Sequence, residues 1–214
     1  MNILQYGNKN ADVVLIQPVD AHDIECMEEE LAEISQRWDG AFSMQAVVIE
    51  DWNRQLSPWS APPVFGKEGF GGGAAEVLEA IRPLCEGNKT YILGGYSLAG
   101  LFALWAAQEC DCFAAVAAAS PSVWFPGFLD YMETHEMYAK HVYLSLGDRE
   151  ELAKNPTMAT VGDCIRKGYA LFGKKGIESV LEWNSGNHFK DSEVRMAKGF
   201  AWVLQAVHPA QETP

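Results

Sequence analysis

The sequence predicts a three-layer α/β/α sandwich around a mostly parallel central sheet, and three observations predict it. Apolar runs of strand length alternate with amphipathic stretches of helix length, the pattern of a parallel sheet covered on both faces. The 214 residues are 48% hydrophobic and 21% charged, the balance of an ordinary globular protein with enough chain to bury a full core. No repeat or low-complexity linker divides the chain, so a single domain over 1–214 is expected.

Strands are expected at 13–17, 46–50, 91–94, 113–119 and 142–146. A further run at 177–183 alternates apolar with polar residues and belongs nearer the sheet edge. Between the first two strands the spacing predicts a surface helix over 24–37. Met27, Leu31 and Ile34 recur there at intervals of four and three, while Glu25, Glu28, Glu29, Glu30 and Glu33 fill the solvent side. Helices are also expected over 74–84, 98–109, 156–172 and 193–207, each with enough Ala, Leu and Met for an inward face. The connections at 51–73 and 120–141 are longer than most such turns, and length of that kind often serves function. The first is rich in Trp, Pro and Gly; the second holds Trp124, Phe125, Pro126 and Phe128.

Charge and cysteine usage remove several classes of function. Lys and Arg total 16 against 29 Asp and Glu, and a net charge of −13 repels a phosphate backbone, so no nucleic-acid partner is expected. The longest apolar run, 113–119, is far short of the roughly 20 residues that cross a bilayer, so no membrane partner is expected either. The five cysteines (Cys26, Cys85, Cys110, Cys112 and Cys164) are odd in number and lack metal-ligand spacing, and the amino terminus carries no basic segment before an apolar stretch. A reducing cytoplasm and no metal site are the expectations.

The sharpest chemical signal is Gly94-Gly95-Tyr96-Ser97-Leu98-Ala99-Gly100, placed between an expected strand and an alanine-rich helix. It has the form of a nucleophile elbow, in which a strained turn lifts a serine above the sheet and small neighbours let strand and helix pack closely. Gly95, Ala99 and Gly100 are those small neighbours. The helix amino terminus then faces the reacting centre, and the Leu98 N–H is a candidate oxyanion donor. Two other readings compete. One is a tight turn with a capping serine; the other is a dinucleotide fingerprint, disfavoured because Ser97 stands where the middle glycine must admit a pyrophosphate.

A serine needs a base. Of five histidines, His22, His135, His141 and His208 occupy positions where a surface role is the default. His188 lies in Ser185-Gly186-Asn187-His188-Phe189, between the last strand and the last helix, at the sheet's carboxyl end where ligands bind in such folds. The acid should follow the strand between them, where Gly147-Asp148-Arg149-Glu150-Glu151 offers three carboxylates. Glu150 is favoured to orient His188, with Asp148 the alternative.

With Ser97, an acidic turn and His188 in that chain order, the sequence resembles the α/β-hydrolase superfamily, and within it the esterase group that includes esterase D-like proteins. The resemblance implies a minimal α/β-hydrolase fold with no lid domain. It departs from the group's frequent G-H-S-M-G-G at Tyr96 and Ala99. In the superfamily the acid commonly stands three residues after a strand-closing glycine, which here counts from Gly147 to Glu150. The resemblance also places a second oxyanion donor in the turn Gln17-Pro18-Val19-Asp20; Pro18 has no N–H, so Val19 or Asp20 must supply it. The stretch Ala119 to Trp124 should border the pocket. Trp52, Trp59 and Trp124 are candidates for its apolar wall. The expected activity is hydrolysis of small or medium acyl esters, a small-molecule substrate, without a cofactor. A hydrolase-like fold that binds without turnover is the alternative.

Overall fold

The computed structural model describes residues 1–64 and 66–208. The last six residues of the expected domain, 209–214, lie outside the described residues. The chain opens with β1 (Asn2–Gly7), a strand the sequence reading did not anticipate. Only Leu4 and Tyr6 are half-buried, and the exposed Ile3 beside Leu4 breaks the alternation, so the run does not stand out. There follow β2 (Val13–Val19), α1 (Ala21–Arg37) and β3 (Ser43–Val48). Asp20 and Asp23 cap α1 reciprocally, each side chain accepting the other's backbone N–H at 3.0 Å.

The first long connection folds into the short helix α2 (Trp52–Gln55) and a two-residue ribbon, β4 (Ser60–Ala61) with β5 (Phe70–Gly71), before α3 (Ala74–Ile81). Next come β6 (Thr90–Tyr96), α4 (Leu98–Glu109) and β7 (Ala115–Ala119). The second long connection contains α5 (Phe128–Thr134) and leads to β8 (His141–Gly147). Two 3-10 turns precede α6 (Val161–Lys174), so the helix expected from 156 starts later. β9 (Glu178–Asn184) and α7 (Ser192–Val207) complete the fold.

The main sheet has the order β1-β3-β2-β6-β7-β8-β9. β1 pairs antiparallel with β3 and every other neighbour pair is parallel. β9 lies at the sheet edge, as its alternation predicts. On one face α1 and α7 pack on Leu15, Ala117 and Tyr143; on the other α3, α4 and α6 pack on Ile16, Leu93, Val116 and Leu144. Helix α4 is buried on nearly every side, because Phe70, Trp124 and Phe125 from the long connections cover the side away from the sheet.

Two expectations change. Glu30 does not face solvent: α1 buries Met27, Glu30 and Ile34, and Leu31 is only half-buried, so the helix is rotated from the phase the apolar residues suggest. Cys110 and Cys112 are joined by a disulfide, with Cys26, Cys85 and Cys164 free, which removes part of the basis for a reducing compartment. Among the described residues no helix is long and apolar enough to cross a membrane.

Candidate active site

The strands β6, β7, β8 and β9 end side by side, and each end delivers one part of the site. Ser97 follows β6 with φ 57° and ψ −118°, a conformation costly for a residue with a Cβ. Three backbone bonds hold it. Ser97 N–H donates to Ala119 O at 3.1 Å, and Ser97 O accepts from Leu101 N–H at 3.1 Å and Ser122 N–H at 3.0 Å. The elbow also needs its glycine: a Cβ on Gly95 would lie 2.4 Å from the Ala99 carbonyl group.

The structure brings Ser97, His188 and Glu150 into one line. His188 Nε2 is 3.0 Å from Ser97 Oγ, and His188 Nδ1 is 2.7 Å from Glu150 Oε2. With Glu150 ionised, Nδ1 carries the proton and Nε2 is free to accept from the serine. Asp148 is directed elsewhere: its Oδ1 accepts the Gly186 N–H at 2.8 Å, bracing the loop that carries His188. The Arg149 N–H to Gly186 O bond at 3.1 Å ties the same two loops.

Burial by itself would raise the Glu150 carboxyl. The hydrogen bond and charge of His188, with bonds from Ser120 and the Gly147 N–H, outweigh that and hold it below the ordinary carboxylate range. Ser120 Oγ and Gly147 N–H each donate to Oε1 at 2.7 Å. A guanidinium stands beside them: Arg195 Nη1 donates to the same Oε1 at 3.0 Å, to Ser120 Oγ at 3.2 Å and to Tyr96 Oη at 3.1 Å. Its Nη2 donates to Ser185 O at 3.3 Å and Asn187 O at 2.9 Å, and Tyr96 Oη donates to His188 O at 2.7 Å. Burial pushes the Tyr96 phenol up to about 12, so it acts as a neutral donor.

Sequence reasoning missed Arg195 and Tyr96 as members of the site; Ser120 and Ser122 lie in the stretch expected at the pocket border, and both line the cavity. Arg195 had a readable signal, because it lies in phase with Gly199 and Val203 on the buried face of α7, and a charged residue in such a phase must find partners. The bonds of the two serines, to Glu150 and to Ser97, left no signal of their own in the sequence.

A cavity of about 680 Å³ opens over Ser97, lined by Trp52, Trp124, Met158 and Val161 together with Ser122 and His188. That volume suits a drug-sized ligand. Leu152 and Phe189 stand at its edge, 71% and 87% exposed. Trp59 is not among the lining residues; it packs against Phe125 and Tyr131, with its Nε1 donating to Pro126 O at 3.0 Å. Leu98 opens α4 as the residue after Ser97, where the helix N–H groups have no intrahelical acceptor. Val19 is fully buried at the end of β2 and is not among the residues lining the cavity.

No family model matches the sequence, and no curated protein matches it. Solved structures do match the fold. An IroE-like serine hydrolase from Shewanella oneidensis superposes with a TM-score of 0.73 at 17% identity, over 95% of this chain and 75% of that one. Siderophore hydrolase EstA from Aspergillus nidulans gives 0.69 at 19% identity, over 94% and 86%. The enterobactin esterase FES from Shigella flexneri gives 0.66 at 15% identity, over 96% of this chain and 55% of that one. The sheet order, the elbow after β6 and these superpositions together identify the architecture as the α/β-hydrolase fold.

Proposed function

We propose that the protein is a serine hydrolase, a carboxylic-ester hydrolase that works through an acyl-enzyme on Ser97. The observation that carries this is the unbroken line Ser97 Oγ, His188 Nε2, His188 Nδ1, Glu150 Oε2, with links of 3.0 and 2.7 Å. In the first half-reaction Ser97 Oγ attacks the ester carbonyl while His188 Nε2 takes its proton, and Glu150 stabilises the imidazolium. Collapse of the tetrahedral intermediate passes that proton to the leaving alcohol. Water, deprotonated by the same imidazole, then releases the acid and restores Ser97. No step calls for a cofactor.

The apolar wall of Trp52, Trp124, Met158 and Val161 supports an acyl or aryl group of small to medium size as the substrate's buried part. The structural neighbours are hydrolases and an esterase, which supports ester chemistry. A cytoplasmic location belongs to this reading, and the Cys110–Cys112 disulfide is the observation that weighs against it.

The fold used for binding without turnover is favoured by one observation, that no residue of the turn after β2 lines the cavity over Ser97. Labelling by a fluorophosphonate separates the two readings, because it needs an activated serine and no knowledge of the substrate. The expected outcome is labelling of the parent and none of Ser97→Ala. A folded parent that stays unlabelled overturns the hydrolase reading.

A further inference from the structure

No residue of the turn expected to complete the oxyanion site lines the cavity over Ser97. Pro18 lacks an N–H, Val19 is fully buried, and the Asp20 N–H donates to the Asp23 carboxylate at 3.0 Å. Helix α1 begins directly at Ala21, so no loop is left there to rearrange. The Leu98 N–H would then face a developing oxyanion alone, although one donor of such a pair is worth on the order of 10²- to 10³-fold in kcat.

Ser122 supplies what that turn does not. It sits after β7, is 3% exposed, lines the cavity over Ser97, and holds its hydroxyl oxygen 3.5 Å from Ser97 Oγ. Two backbone bonds fix it: its N–H donates to Ser97 O at 3.0 Å, and its carbonyl accepts the Phe125 N–H at 3.0 Å. The hydrogen of Ser97 Oγ goes to His188 Nε2, so in the Ser97–Ser122 contact Ser97 accepts and the Ser122 hydrogen is aimed at the reacting centre. Among the described residues that hydroxyl has no other hydrogen-bond partner. When Ser97 Oγ adds to a carbonyl, the carbonyl oxygen is bonded to the same carbon, and a hydroxyl rotor turns from one oxygen to the other without moving a heavy atom.

We propose that the Ser122 hydroxyl is the second oxyanion donor, acting with the Leu98 N–H. The inference rests on the hydrolase reading of Ser97. The rival donor is the indole N–H of Trp52, which lines the same cavity.

The test uses the full chain, p-nitrophenyl butyrate, an alkyl trifluoromethyl ketone that forms a charged hemiketal on an active serine, and the methyl ketone of the same shape. Ser122→Ala should lower kcat on the order of 10²- to 10³-fold with KM changed by less than about threefold, and weaken the trifluoromethyl ketone by a factor like that in kcat/KM. Binding of the methyl ketone should not change in Ser122→Ala, Ser122→Thr should recover part of the loss, and Trp52→Phe, a change in the pocket wall, should shift both ketones alike. Thermal unfolding checks that each variant is folded. Near-normal kcat in Ser122→Ala, equal weakening of both ketones, or transfer of the loss to Trp52→Phe overturns the assignment while a labelled parent leaves the hydrolase reading standing. An unlabelled parent removes both.

Discussion

Two glutamates are buried in this molecule, one at the carboxyl ends of the strands and one under helix α1, and they meet opposite fates. Glu150 is 7% exposed at the end of β8; Glu30 is 3% exposed on the inward side of α1. Loss of water pushes both carboxyls toward the neutral form. Around Glu150, donors from Ser120, the Gly147 N–H, His188 and Arg195 lie within 3.0 Å of its two oxygens, and the carboxyl stays low. Glu30 receives one bond, from Gln17 Nε2 at 3.3 Å, its Oε1 has no partner, and burial raises it to about 8. A buried carboxylate remains a reagent in this fold where strand ends and turns converge their donors. Under a helix it becomes a neutral filler.

The largest effect should come from breaking the reagent side of that comparison. Glu150→Gln keeps the shape but cannot stabilise an imidazolium, and kcat/KM should fall on the order of 10⁴-fold, as when other triads lose their acid. Asp148→Asn should cost less than about tenfold, because Asp148 braces Gly186 and does not touch the imidazole. The two variants are to be compared on one p-nitrophenyl ester, with folding checked by thermal unfolding. A larger loss in Asp148→Asn would move the acid and dissolve the contrast.

Arg195 sharpens the comparison, since it is the cation Glu150 has and Glu30 lacks. It ties five acceptors from Tyr96, Ser120, Glu150, Ser185 and Asn187. Removing one member of a buried pair costs about 3–5 kcal/mol, so Arg195→Met should unfold at clearly lower denaturant. It should also lower kcat with KM nearly held, because both the acid and the His188 loop lose their anchor. Arg195→Lys should recover part of the stability and little of kcat, since one ammonium cannot span both arms of the fork. A variant that loses stability while keeping kcat would reduce Arg195 to a structural role.

Sequence reasoning reached the two regions unequally, and for a physical reason. The Ser97 elbow and the His188 turn are local: glycines required by close packing, set directly after apolar runs, leave a pattern along the chain. The central strands were legible in the same way. Arg195 stands 45 residues beyond Glu150, and nothing in its neighbours names that partner. Glu30 was assigned to the solvent side because one turn of α1 offers both Leu31 and Glu30 to the inward face, and periodicity prefers the apolar residue. The helix rotates instead so that Met27, Glu30 and Ile34 lie inward, a choice set by packing against the sheet and α7. Trp59 failed as a pocket residue for a similar reason, its ring being taken up by Phe125 and Tyr131. Val19 was placed as a donor by the resemblance once Pro18 was set aside, and the structure buries it at the end of β2, outside the cavity lining.

The smallest effect tests the filler side. In the unfolded chain the Glu30 carboxyl titrates near 4.5, and in the folded protein near 8, so between those values the folded state holds a proton the unfolded state has released. Stability from this group is therefore complete at low pH, falls as pH rises through the window, and is level above about 8. Glu30→Gln removes the titration and keeps the volume, and its amide can both donate and accept beside Gln17. The variant should match the parent near pH 5 and exceed it at pH 9 by on the order of a few kcal/mol, read as the difference in denaturant midpoints at constant slope. Asp23, raised to about 6 by burial, titrates with the same sign lower down, so the gap between the two proteins is best read between pH 6 and 9. Activity on a p-nitrophenyl ester should not change, because Glu30 lies on the face of the sheet away from α4. A variant no more stable than its parent at pH 9 would mean that Glu30 ionises in place, and the two buried glutamates would then differ in position but not in state.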